Sequence, residues 1–130
     1  MTDGSGAKCS GLSGLKKLDP NCVYKVMDAT DWEVLQAQGS HPGSAVDLKD
    51  GFVHLSLASQ VEGTLKKHFE GVSDLVLVVV EARRLGSQLR WERSIEEELF
   101  PHLYAELPAS ACKAVAKRGA SDQPWTAMSA

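Results

Sequence analysis

Apolar and polar positions repeat with two different periods along this chain, and the changes of period mark its elements. "CVYKVM", Cys22 to Met27, is rich in β-formers and reads as a first strand. "TDWEVLQAQG" opens with a capping-box pair, Thr30 with Glu33, and stops at Gly39, which predicts a short helix. "SHPGSAVDLKDG" is dense in Pro, Gly, Ser and Asp and reads as an exposed loop. In "DGFVHLSLASQ" a period of two sends Phe52, His54 and Ser56 to one face of a strand and Val53, Leu55 and Leu57 to the other. A second capping box, Ser59 with Glu62, opens a helix carrying Val61, Leu65 and Phe69 on one stripe, and Gly71 ends it. "DLVLVVVEARRL" is dominated by valine, as a central strand covered on both faces requires. "QLRWE" predicts a short strand with Arg90 and Glu92 opposite Leu89 and Trp91. "LFPHLYAEL" reads as a turn at Pro101 leading into a strand with His102 and Tyr104 on one face and Leu103 on the other. "SACKAVAKRG" suits a helix by its alanines and a last strand by its length and Gly119. Two short helices and late strands without helical crossovers point to an α+β fold with a mixed or antiparallel sheet.

Length and composition narrow the partners. The 130 residues suffice for one domain, expected over 21–119, behind a Gly, Ser and Lys-rich leader at 1–20 and ahead of a tail at 120–130. The leader is expected to be disordered and the tail loose, with Trp125 as its one docking group. A net charge of -3 removes any general attraction to nucleic acid or an anionic membrane. The longest apolar run, Leu75 to Val80, is far too short to span a bilayer. With no secretory pattern near the N-terminus, the expected location is cytoplasmic. Cys9, Cys22 and Cys112 are odd in number and form no CxxC pair, which suits reduced thiols, with Cys9 placed in the flexible leader.

Chemistry concentrates in the histidines. His41 in the Pro/Gly loop reads as solvated, and His68 as a packing residue near Val61 and Phe69. His54 and His102 differ, because each lies in a strand with a hydroxyl two residues later, Ser56 and Tyr104. A metal would draw on His54, His102 and Glu92, but the chain has no HExxH and no CxxC, so none is expected. Cys112 has no base beside it in sequence. The absence of a P-loop and of GxGxxG means that any nucleotide site is of another kind.

The run "VYKV", "GS..VDLKDGFVHLS...QV..TLKKHFEG..DLVLVVV", then "LG..LRWE" and "LFPHLY", resembles a family of uncharacterised proteins, domain-of-unknown-function family 952, over about residues 23 to 115. The resemblance implies an ADP-ribosyltransferase-like domain, a split sheet enclosing a cleft that in active relatives of the fold holds NAD as substrate. By order along the chain it implies Lys25 or Tyr24 as anchor of the nicotinamide ribose, His54 with Ser56 beside nicotinamide, and Glu92 polarising a ribose hydroxyl. On that footing His54 and Glu92 are the catalytic candidates, while Lys25, Ser56, Arg90, His102 and Tyr104 are the ligand-binding ones. Arg90 would meet phosphate, and Tyr104 would stack on or hydrogen-bond a base. Where the family pattern has a Ser-Arg-Gly-Gly-like loop, this chain has Glu96, Glu97 and Glu98, carboxylates that would repel a pyrophosphate. Two other readings use the same residues: a non-catalytic module for a small ligand or protein, and a buried hydrogen-bond network that serves only the fold. The first would bind without turning NAD over, and the second would show no pocket beside the histidines.

Overall fold

The computed structural model describes residues 9–12, 19, 21–94, 97–120 and 123–128. Along them run β1 (Cys22–Asp28), α1 (Ala29–Gln38), β2 (Ser40–His41), α2 (Ala45–Asp50), β3 (Val53–His54), α3 (Val61–His68), β4 (Leu75–Glu81), β5 (Leu89–Arg93), β6 (Leu99–Leu103), β7 (Leu107–Pro108), β8 (Cys112–Arg118) and β9 (Thr126–Met128). The valine-rich β4 is buried along its whole length, between β1 and β8, in a sheet of order β1-β4-β8-β9. Two smaller sheets have the orders β2-β7 and β3-β6-β5. The fold is α+β, and every strand pairing among the described residues is antiparallel, which favours the antiparallel alternative over the mixed one.

Alternation along β1 and β4 covers both faces of the large sheet. Val23, Met27, Val76, Val78 and Val80 pack with Trp32 and Leu35 of α1 and with Val53, Leu55 and Leu103 of the three-stranded sheet. On the opposite face Tyr24, Val26, Leu77 and Val79 pack with Val61 and Leu65 of α3 and with Cys9. The β1 edge is stitched to the chain just after β3 by a reciprocal pair, Tyr24 N–H to Ser56 O at 2.7 Å and Ser56 N–H to Tyr24 O at 2.9 Å. Val53 of β3 and Pro101 and Leu103 of β6 are thus buried, and the even-numbered side chains of these strands are left to face away from the core.

Several sequence expectations change at this level. Among the described residues there are three short α-helices, not two, because α2 forms inside the segment read as a loop. Its Ser and Gly residues act as caps: Ser44 and Asp47 make a full capping box, and Gly51 closes the helix at φ 89°. Helix α1 starts at Ala29 and is capped by Asp28, whose carboxylate accepts from Asp31 N–H, so Thr30 is not its cap. Ser59 is not a cap either, since a 3₁₀ turn over Ala58–Gln60 precedes α3. Pro101 lies within β6 rather than at a turn before it. Its carbonyl accepts from Leu55 N–H on the side where β3 pairs at only Val53 and His54, so the missing N–H removes one rung at the end of the ladder. The ambiguous 112–118 segment is strand β8.

The cysteines and termini also differ. Cys9 and Cys22 form a disulfide with Cα atoms 4.9 Å apart, and Cys112 is the free thiol. An odd total does not prevent two of three cysteines from pairing once the fold brings them together. Cys9 is buried rather than part of a flexible leader, and its N–H donates to Glu81. The rest of the expected leader, 1–8, 13–18 and 20, lies outside the described residues. The tail is not wholly loose: β9 pairs with β8, and the Arg118 guanidinium lies over the Trp125 ring at 4.7 Å. His41 is buried, not solvated, because β2 pairs it with Leu107. Its Nε2 lies 3.1 Å from Asp31 Oδ1, and Gly43 N–H donates to its Nδ1.

Candidate functional site

The site grows from one buried carboxylate, Asp47, which the capping box places at the start of α2. Its Oδ2 accepts from Lys25 Nζ at 2.7 Å and from Ser44 N–H at 2.8 Å, and its Oδ1 accepts from His54 N–H at 3.0 Å. The same Oδ1 lies 2.6 Å from His54 Nδ1. Burial alone would raise the Asp47 carboxyl, but the His54 hydrogen bonds and the Lys25 ammonium outweigh it and hold the group well below the usual carboxylate range. Asp47 is therefore ionised, and the proton of the 2.6 Å bond sits on His54 Nδ1. The fit is close: a Cβ on Gly43, at φ 112°, would stand 2.5 Å from Asp47 Cβ, so the position requires glycine on both counts.

Alternation in the three-stranded sheet then collects the remaining chemistry on one face. Register places His54 of β3 opposite His102 of β6, and His102 opposite Arg90 of β5. The two imidazole centroids are 5.5 Å apart, and Phe52 packs against both, at 4.6 Å from His54 and stacked at 4.1 Å on His102. His102 Nδ1 lies 2.8 Å from Glu92 Oε1, which also accepts from the Tyr104 hydroxyl at 2.7 Å. Those two bonds hold the Glu92 carboxyl below its ordinary value, and Glu92 in turn raises the Tyr104 phenol. Arg90 lies over the Tyr104 ring at 4.8 Å.

Helix α3 stands across from this face, and between them is a cleft of about 970 Å3. Its floor includes Phe52, His54, Ser56, Phe100 and His102, and Lys66, Lys67, His68 and Arg93 bring cationic or imidazole groups to it. Asp50 and Glu98 supply the acidic groups. Ser56 is buried and shares a hydrogen bond of 2.8 Å with Thr64 of α3, which ties the helix to the floor. His68 is exposed at the cleft rather than packed, and desolvation followed by the Lys67 charge lowers its imidazole.

Of the residues singled out from sequence, His54, Ser56 and His102 line this cleft. Glu92, Arg90 and Tyr104 adjoin it through His102 and Phe52 but do not line it. Lys25 does not face a ligand: its ammonium is buried and taken up by Asp47 and the His54 carbonyl, because β1 turns this position inward. Tyr24 points into the opposite core, where burial and then Asp19 push its hydroxyl up to about 12. Burial likewise pushes the Cys112 thiol up to about 11, which leaves it no nucleophile at neutral pH. Of the three consecutive glutamates, Glu98 lines the cleft, Glu97 is exposed, and Glu96 lies outside the described residues. Asp47, Asp50 and Phe100 were missed by sequence reasoning, and Phe52 was placed on the His54 face but not counted as a site residue. The Ser44-x-x-Asp47 spacing is a capping-box signal and could have located Asp47, while Phe52 and Phe100 sit two residues before the histidines on the same faces. Among the described residues no three His, Cys, Asp or Glu side chains converge as a metal site, and no helix is long and apolar enough to cross a membrane.

The chain belongs to the family described as Protein of unknown function (DUF952), whose profile matches residues 26–115. It is similar to protein CC0527 from Caulobacter crescentus. The crystal structure of that protein has 45% sequence identity and a TM-score of 0.71, covering 74% of this chain and 84% of that one. Its solution NMR structure has 41% identity and a TM-score of 0.69, covering 81% of this chain and 90% of that one. No match was found among curated proteins.

Proposed function

We propose that this member of the DUF952 family binds an ADP-ribose-type nucleotide, either NAD or ADP-ribose itself, in the cleft between α3 and the imidazole face of the three-stranded sheet. One observation carries the reading: a single opening of about 970 Å3 joins aromatic and imidazole rings on its floor to Lys66, Lys67 and Arg93. Flat rings offer a stacking surface for a base, and the cations offer electrostatic support for phosphates. Phosphates would lie toward Lys66, Lys67 and Arg93, and the base toward Phe100. Two sheets joined through the Tyr24–Ser56 bridge, with Ser56 lining the cleft, are compatible with the ADP-ribosyltransferase-like arrangement that the family resemblance implies. In this reading Glu92 is a positioning residue. Its Oε1 is engaged by His102 and Tyr104, so it orients His102 rather than polarising a ribose hydroxyl.

Calorimetric titration with ADP-ribose and with NAD tests the proposal. The wild-type protein is expected to saturate with at least one of them, and Phe100→Ala to weaken that binding about 10-fold by removing a stacking surface. Lys67→Ala should weaken it less and flatten its dependence on salt. Absence of saturation with either ligand at millimolar concentration would overturn the reading.

A further inference from the structure

The two imidazoles at the cleft floor have complementary surroundings. His102 gives Nδ1 to Glu92 at 2.8 Å, and its Nε2 has no partner among the described residues. His54 gives Nδ1 to Asp47 at 2.6 Å, and its Nε2 lies 3.0 Å from Asp50 Oδ2, a carboxylate oxygen able to accept from an Nε2–H. An open Nε2 backed by a carboxylate is the geometry of a general base, and an Nε2 that carries a proton is that of a general acid. The ring centroids are 5.5 Å apart, close enough for one phosphoryl group to meet both, and Phe52 packs on each ring and limits its rotation. Lys67 and Arg93 line the same cleft and can stabilise charge on phosphoryl oxygens.

We infer that His102 and His54 are the base and acid for hydrolysis of a phosphodiester of a ribonucleoside. The inference rests on the nucleotide reading above and deepens it. A water molecule gives a proton to His102 Nε2 as its oxygen forms the new bond to phosphorus. The P–O bond to the departing ribose oxygen breaks, and that oxygen takes the proton from His54 Nε2. The products are a phosphomonoester and a free ribose hydroxyl, with no change of oxidation state. Exchange with solvent returns one proton to His54 and removes one from His102. Asp50, at the surface, holds the His54 proton until the leaving oxygen replaces it. The acid selects the substrate class. A phosphoanhydride expels a phosphate that leaves without help, whereas a ribose alkoxide requires a proton, so the pair fits an ester of ribose better than a pyrophosphate.

Two substrates that differ in leaving group test this with the full chain. 2′,3′-Cyclic AMP expels a ribose alkoxide, and adenosine 5′-(p-nitrophenyl phosphate) expels a phenolate that needs no proton. The wild-type protein is expected to hydrolyse both, and His102→Gln to lose about 100-fold or more on both. His54→Gln is expected to lose about 100-fold on the cyclic nucleotide and less than about 5-fold on the nitrophenyl ester. Asp50→Asn, a surface change that leaves the buried network intact, should show the same selectivity in smaller measure and serves if His54→Gln does not fold. Equal losses on both substrates would overturn the acid role of His54. Saturable binding of 2′,3′-cyclic AMP without hydrolysis by the wild-type protein would overturn the inference and leave the nucleotide reading standing. Absence of binding by 2′,3′-cyclic AMP, ADP-ribose and NAD alike would overturn both.

Discussion

Asp47→Asn is expected to cost the fold about 3–5 kcal/mol, the range for removing one partner of a buried charged pair. The carboxylate accepts from Lys25, His54 and Ser44, and an amide in its place would turn an N–H₂ group toward one of these donors. Lys25 is buried with it, so the substitution leaves an ammonium with one carbonyl, that of His54, in place of a counter-charge. Lys25→Met should be milder, since Asp47 keeps the His54 and Ser44 bonds. The double variant should cost less than the sum of the two, because it no longer buries an unpaired charge. Urea denaturation of the four proteins measures the cycle, and strict additivity would show that the pair is not coupled. The pH dependence follows from the lowered Asp47 carboxyl. Its contribution is fully present above the unfolded value of about 3.9 and is lost as pH falls toward the folded one. The wild-type protein should therefore lose stability below about pH 4 more steeply than Asp47→Asn does.

Reduction of the Cys9–Cys22 disulfide is the second large effect. The bridge closes a loop with a sequence separation of 13 residues, and a loop of that size is worth about 3 kcal/mol in the chain-entropy account. Cys9 is also packed into the core face formed by Tyr24, Val26, Leu77 and Val79, so releasing it uncovers apolar surface. The expected result is a denaturation midpoint that drops when reductant is added to the wild-type protein. Cys9→Ser should start at the lower value and show no response to reductant. Coincident midpoints for the oxidised and reduced wild-type protein would show that the bridge contributes nothing. Cys112 provides the control, since Cys112→Ser leaves the bridge in place.

The candidate site was legible from sequence in the parts that depend on alternation. Phe52, His54 and Ser56 share a face, as do His102 and Tyr104, because a strand turns successive side chains to opposite sides whatever it pairs with. The valine run of β4 announced a strand covered on both faces for the same local reason. Asp47 was not legible as a site residue. It lies in a segment whose Gly, Pro and Ser content reads equally as a loop and as a capped helix start, and the partner that gives it meaning, Lys25, is 22 residues away. Lys25 was misread in turn, because a lysine on a strand gives no local sign that a carboxylate awaits it inside.

By itself, then, the sequence determined what nearest neighbours control. It set which segments extend, which side chains share a strand face, where Gly39 stops α1, and that two histidines stand on polar strand faces. Tertiary structure alone decided which of those faces meet. The His54–His102 register, the Glu92–His102–Tyr104 cluster, the burial of His41 and the Cys9–Cys22 bridge each join residues whose attraction has no signature in either segment alone. The physical reason is one of range. Dihedral preference and periodicity act over a few residues. Charge pairing, disulfide closure and the enclosure of a cleft depend on distances that exist only after β1, β3 and β6 have been brought side by side.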